Sequence, residues 1–358
     1  MHTPIRATID TAALRHNLAC VRRHAPHSRV MAVIKANGYG HGLETVARAL
    51  DGADAYGVAR LDEALALRAA GIESRILLLE GVLDPDQLAA AGQARLDVMV
   101  CSLEQLEMLE QRDGTTPLHA WLKVDTGMNR LGLRPEAYAD AHARLRRAPG
   151  IAPDPVLATH FASAEEPGDP LTRAQLESFA RATAGLAGPR SLANSAGILD
   201  WPEARADWVR PGIMLYGITP RATGTGAGLG LRPVMSVETR VLAVRTVRAG
   251  ETVGYNGTWR AARESRVAVV AAGYGDGYPR SSPAGTPVLV NGQRAPLAGR
   301  VSMDMLTVDV TDLPPVRPGD PVGLWGGGLA VEEVARSAGT IAYELTCRVS
   351  PRVARATR

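Results

Sequence analysis

The sequence predicts a TIM-type parallel (β/α)₈ barrel at the N-terminal end, followed by a mostly β C-terminal domain, on three observations. From residue 8 to about 220, short apolar runs alternate with amphipathic helical segments. The runs are apolar throughout rather than at every second position, the pattern of strands buried on both faces of a parallel sheet. A Gly-rich connector, RATGTGAGLG at 221–230, then gives way to β-rich runs such as VMSVETRVLAVRTV, SRVAVVAAG and DMLTVDV. The expected division is a barrel domain over 1–222 and a β-rich domain over 223–358.

Eight runs are candidate barrel strands: RVMAVIKAN (29–37), DAYGVA (54–59), SRILLLE (74–80), RLDVMV (95–100), HAWLKVD (119–125), PVLATHFA (155–162), RSLANSA (190–196) and DWVRPGIML (207–215). Helical signals fall between them. LDEALALRAAG (61–71) stops at a Gly, SLEQLEMLEQRDG (102–114) has a Ser N-cap, and LTRAQLESFARATAGLAG (171–188) is a third. An open doubly wound sheet is the alternative, but no G-x-G-x-x-G follows the first strand. In the second region, NG at 291–292 between two β runs predicts a hairpin. GDPVGLWGG (319–327) reads as a strand, and VEEVARSAGTIAYELTCRV (331–349) as helix.

Bulk properties exclude several function classes. Lys+Arg 40 against Asp+Glu 37 leaves +3, with no basic stripe, so nucleic-acid binding has no electrostatic footprint. No window approaches the length of a membrane-spanning apolar helix. The N-terminal segment MHTPIRATIDTAALRHNL lacks the apolar core of a secretory signal. Cys20, Cys101 and Cys347 are scattered and odd in number, forming neither a disulfide framework nor a zinc pattern. A metal-free protein of the reducing cytoplasm is expected.

Only Lys35 and Lys123 are lysines; the other basic residues are all arginine. Arginine carries surface charge equally well but cannot deprotonate to attack a carbonyl carbon. Both lysines end apolar runs, and an ammonium group at the mouth of a buried strand is costly to desolvate. In (β/α)₈ barrels the chemistry sits at the C-terminal ends of the strands. That rule gathers Lys35, Lys123, His160, Asn194 with Ser195, and Arg210 with Gly212 at one mouth. The set suggests a Schiff-base lysine beside an anion site.

AVIKANGYGHG (32–42) resembles the pyridoxal 5'-phosphate (PLP) lysine motif of alanine racemases. The resemblance continues in order through LKVDTGMNRLG (122–132), THFASAE (159–165), NSAG (194–197), VRPGIMLYG (209–217), GYNGTW (254–259), GYGDGYPR (273–280) and GRVSMDM (299–305). It covers nearly the whole chain. It implies PLP as cofactor, L- and D-alanine as substrates, and a homodimer whose active sites use both subunits.

The same resemblance implies the residue roles. Lys35 would hold PLP covalently and serve the D face of the substrate, and Tyr255 of the partner subunit would be the base on the L face. His160 would hydrogen-bond that Tyr, and Arg210 would face the pyridine nitrogen. Tyr39, Asn194, Ser195, Gly212, Ile213 and Tyr343 would bind the cofactor, chiefly its phosphate. Arg130 would grip the substrate carboxylate, steadied by Lys123, whose family equivalent is often carbamylated. Met303, with Asp304 and Tyr274, would line the approach from the partner. Asn256 and Ser302 stand where many relatives have Gly and Cys. A broad-spectrum or serine-preferring racemase of the same fold is the alternative, because a methylene in a pocket is worth only about 1–3 kcal/mol.

Overall fold

The computed structural model describes residues 5–114 and 117–358. Residues 1–4, where the segment read for a secretory signal begins, and residues 115–116 lie outside the described residues. Among the described residues, the chain's first strand is β1 (Arg6–Ile9). Eight parallel strands follow: β2 (Arg29–Val33), β3 (Ala55–Val58), β4 (Ile76–Leu78), β5 (Asp97–Val100), β6 (Ala120–Lys123), β7 (Val156–Ala158), β8 (Arg190–Ser191) and β9 (Trp208–Val209). They close into a barrel when β2 pairs with β9, Arg29 opposite Trp208 and Val30 opposite Val209. The (β/α)₈ barrel expected from the alternating runs is the observed architecture.

The barrel is filled, not hollow. Met31, Leu77, Trp121 and Ala158 point into a cluster with no solvent exposure, and Trp121 meets Trp208 with ring centroids 5.4 Å apart. Below them, Arg29 lies 4.3 Å over the Trp208 ring, and Asp97 accepts from Trp121 Nε1 at 3.1 Å and from Arg75 Nε at 3.1 Å. A plugged floor leaves the carboxyl ends of the strands as the accessible end. That end is where the strand-end residues emerge.

The strands are shorter than the apolar runs. β2 ends at Val33, so Lys35 lies in the turn after it, and the runs at 190–196 and 207–215 each give only two paired residues. Apolar character persists where the chain leaves the ladder but stays buried: Ile34, Ala193 and Ile213 are each within 1% of full burial. The helical reading of 331–349 is also corrected. The segment forms two short helices, Val331–Ser337 and Ala342–Cys347, divided at Gly339, whose φ of +72° breaks the helix.

The second sheet is built from distant pieces of chain. β1 pairs antiparallel with β10 (Met235–Val247) and parallel with Ala354–Thr357, so both ends of the chain meet in it. The hairpin at 291–292 is present between Pro287–Val290 and Gln293–Pro296. Asn291 and Gly292 have φ of 51° and 78°, the positive values that a two-residue turn of this kind requires. Fully buried Asn17, on the helix Thr11–His24, joins the parts: Nδ2 donates to Leu215 O (3.0 Å) and Arg232 O (2.8 Å), and Oδ1 accepts from Arg232 N (2.8 Å). The second domain also reaches the barrel mouth, where a Cβ on Gly40 would stand 1.9 Å from Thr346 O of helix Ala342–Cys347. Only glycine permits that approach, and its φ is +82°.

Candidate active site

A cavity of about 790 Å³ opens where the barrel's carboxyl end meets helices Val331–Ser337 and Ala342–Cys347. Both lysines of the chain line it, with His160, Arg210 and Arg130. So do Tyr39, Asn194, Ser195, Gly212, Ile213 and Tyr343. Tyr255 and Met303 do not line it; within one protomer they stand on the surface, 62% and 54% exposed. The Tyr255 ring has the Arg280 guanidinium 6.0 Å from its centroid.

Lys35 opens a turn of unusual hand. Ala36, Asn37, Gly38 and Tyr39 have φ of 54°, 55°, 62° and 53°. A left-handed turn costs roughly 1–2 kcal/mol for each residue with a Cβ, so it needs local support. That support comes from hydrogen bonds. His41 Nδ1 lies 3.0 Å from Gly38 O and 2.9 Å from Tyr39 O, and both partners are acceptors, so Nδ1 carries the proton. Leu43 N donates to Asn37 Oδ1 at 2.9 Å. The turn folds Tyr39 back into the wall, where its ring stacks on Tyr216 at 4.7 Å and stands 6.1 Å from Tyr343.

Arg210, just beyond β9, is buried and ties three strand ends together. Nη1 donates to Ser191 Oγ at 2.6 Å, and Nη2 donates to Thr159 O at 2.6 Å and Leu192 O at 3.3 Å. Nη2 also lies 3.3 Å from His160 Nδ1. A guanidinium can only donate, so Nδ1 is the acceptor and the His160 proton sits on Nε2. Burial, and then the charges of Arg210, Lys123, Arg130 and Lys35, hold the His160 pKa well below the usual histidine range. Burial also lowers Arg210 to about 10, which leaves it cationic at neutral pH. Its Nε makes no hydrogen bond to another described residue, on a side chain that lines the cavity.

An anion cup lies near Tyr39. Ser195 Oγ accepts from Gly212 N at 2.9 Å and from Met214 N at 3.4 Å, and this holds the β9 loop against the start of helix Ser195–Asp200. Asn194 caps that helix, its Oδ1 accepting from Gly197 N at 2.9 Å. A Cβ on Gly212 would come 2.5 Å from the Tyr39 hydroxyl, so the glycine makes room for the phenol. The hydroxyls of Tyr39 and Tyr343 and the Ile213 N–H have no hydrogen-bond partner among the described residues. Hydroxyls and a free backbone N–H converging on one cavity suit a phosphate ester.

On the other wall, Lys123 is buried at the end of β6. Burial lowers its pKa, and the charges of Arg210 and Arg130 lower it further, against Cys101, which raises it. Both effects favour the neutral amine.

The alanine racemase N-terminal domain profile matches residues 9–220, and the C-terminal domain profile matches residues 234–357. The chain belongs to the alanine racemase family. It is therefore an enzyme, an isomerase that acts as an amino-acid racemase. It is 53% identical over 349 residues to the alanine racemase of Shewanella putrefaciens, covering 98% of each chain. The crystal structure of the biosynthetic alanine racemase from Pseudomonas aeruginosa superposes with a TM-score of 0.97 at 52% identity, covering 100% of both chains. The alanine racemase from Bartonella henselae, solved with covalently bound pyridoxal phosphate, gives a TM-score of 0.91 at 32% identity over 100% of both chains.

Sequence reasoning missed several residues that shape this site. His41 lies inside the quoted motif, but nothing in its spacing signals that it staples the turn. Ser191 and Thr159 were read only as parts of strands. Gln175 left a faint signal: it lies at the spacing of Leu171 and Phe179, on a helix face that also buries Thr172.

The buried His41 gives this fold a pH dependence. Burial, opposed by its two backbone bonds, lowers its pKa to about 4. In the unfolded chain the ordinary value near ~6.5 returns, so as pH falls the unfolded chain takes up the proton first. Stability from this residue is then lost between pH ~6.5 and ~4, on the order of 3 kcal/mol in all. Urea midpoints measured across that window should fall less steeply in His41→Gln than in the parent protein. Equal slopes would remove His41 from the account.

Proposed function

We propose that the enzyme interconverts L- and D-alanine by a two-base mechanism, with PLP held at Lys35 and with active sites shared across a homodimer. The observation that carries the reading is the division of the site residues. Lys35, His160, Arg210 and the anion cup meet in one cavity, while Tyr255 stands exposed on the same protomer's surface. In this reading the barrel domain, residues 1–222, binds the cofactor, and the domain over 223–358 offers Tyr255 to a second copy.

The residues present fit the group. Tyr39, Tyr343, Ser195 and the backbone at Gly212 and Ile213 would take the phosphate, and Arg210 Nε would donate to the ring nitrogen. PLP held there would supply a sink for electron density from the amino acid's Cα–H bond, and Arg210, in place of a carboxylic acid beside the ring nitrogen, would make that sink a weak one. Arg210 cannot release a proton at working pH, which favours prompt proton return to Cα over side reactions. Lys35 Nζ carries the proton on the D face. The phenolate oxygen of the partner subunit's Tyr255 carries it on the L face. A phenol with a reference pKa near ~10 is a poor base alone. The neutral His160 supports it by donating from Nε2–H to that oxygen. Arg130 grips the substrate carboxylate. Lys123, whose pKa is lowered chiefly by burial, reaches more readily the neutral amine that takes up carbon dioxide to become a carbamate, an anion that would steady Arg130. Met303 of the partner subunit would narrow the approach to the cavity.

Borohydride treatment of the enzyme as purified should fix the cofactor to Lys35, read by peptide mass; label on Lys123 would contradict the assignment. Tyr255→Phe should abolish exchange of the Cα hydrogen of L-alanine with solvent while retaining exchange from D-alanine. Equal loss from both enantiomers would remove the second base.

A further inference from the structure

Gln175 has no exposed surface and sits on the helix Pro170–Ala182 with Leu171 and Phe179 one turn away on either side. Burying an amide costs free energy unless its atoms are paired, and here each one is. Oε1 accepts from Ala162 N at 2.9 Å, and Nε2 donates to His160 O at 3.0 Å and to Thr126 Oγ1 at 3.1 Å. The amide orientation is fixed by chemistry, because a backbone N–H can only donate and a backbone carbonyl can only accept.

The pattern is that of one residue in a parallel ladder, which bonds the carbonyl before and the N–H after the residue opposite it. Here the residue opposite is Phe161. β7 has already ended at Ala158, so the side chain of Gln175 supplies a rung where no strand is present. Phe161 is anchored on its own side, 2% exposed, with two ring carbons 3.4 Å from where a Cβ on Gly197 would stand. With both peptides around Phe161 held, the direction of the preceding side chain, His160, is set. The network continues to the guanidinium that His160 meets. Thr126 Oγ1 lies 2.8 Å from Thr159 Oγ1, and Thr159 O accepts from Arg210 Nη2 at 2.6 Å.

We propose that Gln175 is a positioning residue for His160: its amide acts as a missing strand and aims the imidazole Nε2–H at the phenol oxygen of the partner subunit's Tyr255. The role rests on the two-base reading above. It assigns Gln175 to the L-face half of the reaction, since Arg210, which serves both halves, keeps its bonds to Ser191 Oγ and Leu192 O without the Gln175 amide.

The test follows exchange of the Cα hydrogen with solvent in the full-length holoenzyme, separately for L- and D-alanine, with thermal melting to check folding. Gln175→Leu should slow exchange from L-alanine by roughly tenfold to a hundredfold, the scale of a small misplacement of a reacting group. Exchange from D-alanine should stay within about twofold, since Lys35 depends on neither His160 nor its loop. Gln175→Glu keeps the shape and decides the matter if the Leu variant does not fold. Its carboxyl donates to His160 O when protonated and repels that carbonyl when ionised. L-side exchange in this variant should therefore fall as pH rises through the carboxyl's titration. Equal slowing from both enantiomers in the Gln175 variants, with Tyr255→Phe still one-sided, would overturn the proposal and leave the two-base reading standing. Equal loss in Tyr255→Phe itself would remove that reading, and the role of Gln175 with it.

Discussion

A guanidinium buried without a carboxylate governs this site. Among the described residues Arg210 forms no ion pair; its charge is met by Ser191 Oγ, the carbonyls of Thr159 and Leu192, and the Nδ1 of His160. A buried charge is tolerated only when dipoles surround it. The barrel supplies them at this one place because the carboxyl ends of parallel strands present unpaired carbonyls at the mouth. The charge then orders its neighbours. It obliges His160 to accept on Nδ1, adds to the burial that keeps that ring neutral, and helps to lower Lys123. The result is a mouth that is cationic yet holds its histidine as a neutral hydrogen-bonding group and eases one lysine toward its neutral form.

The second structural demand is placing Lys35 and Tyr39 on one wall. The shortest way to turn both toward the cavity is a left-handed turn, which L-residues resist, and the fold holds it from two sides. His41 clamps the carbonyls of Gly38 and Tyr39 from within. Gly40 lets helix Ala342–Cys347 settle against the turn from outside, and the same helix brings Tyr343 to the cup. The cavity wall is thus shared between the barrel and the second domain. The ends of the chain lock that arrangement, with β1 lying between β10 and the last strand.

Much of this was legible in the sequence, for stated physical reasons. Strands buried on both faces leave unbroken apolar runs, so the barrel could be read; Asn291–Gly292 gave its hairpin because few other pairs accept positive φ twice. The two lysines stood out because every other basic residue is Arg, and both line the cavity. Strand ends were overrun because Ile34 and Ala193 are buried by packing outside the ladder, and hydrophobicity cannot distinguish the two. β1 joining the second sheet left no local trace, since its partners lie more than two hundred residues away. Ala36 and Tyr39 give no sign of positive φ; only Asn37 and Gly38, residue types that accept it, do. The role of Gln175 depends on which loops the helix faces, a property of the fold and not of the sequence around it.

The central claim is electrostatic: Arg210 fixes His160 as a neutral imidazole protonated on Nε2. Nitrogen-15 NMR of the histidine-labelled enzyme, with His160 assigned by comparison with a His160→Gln variant, reads both nitrogens directly. An unprotonated Nδ1 and a protonated Nε2 that persist from pH 8 to pH ~6, where a free histidine titrates, are the predicted result. An imidazolium in that range, or a proton on Nδ1, would contradict the account.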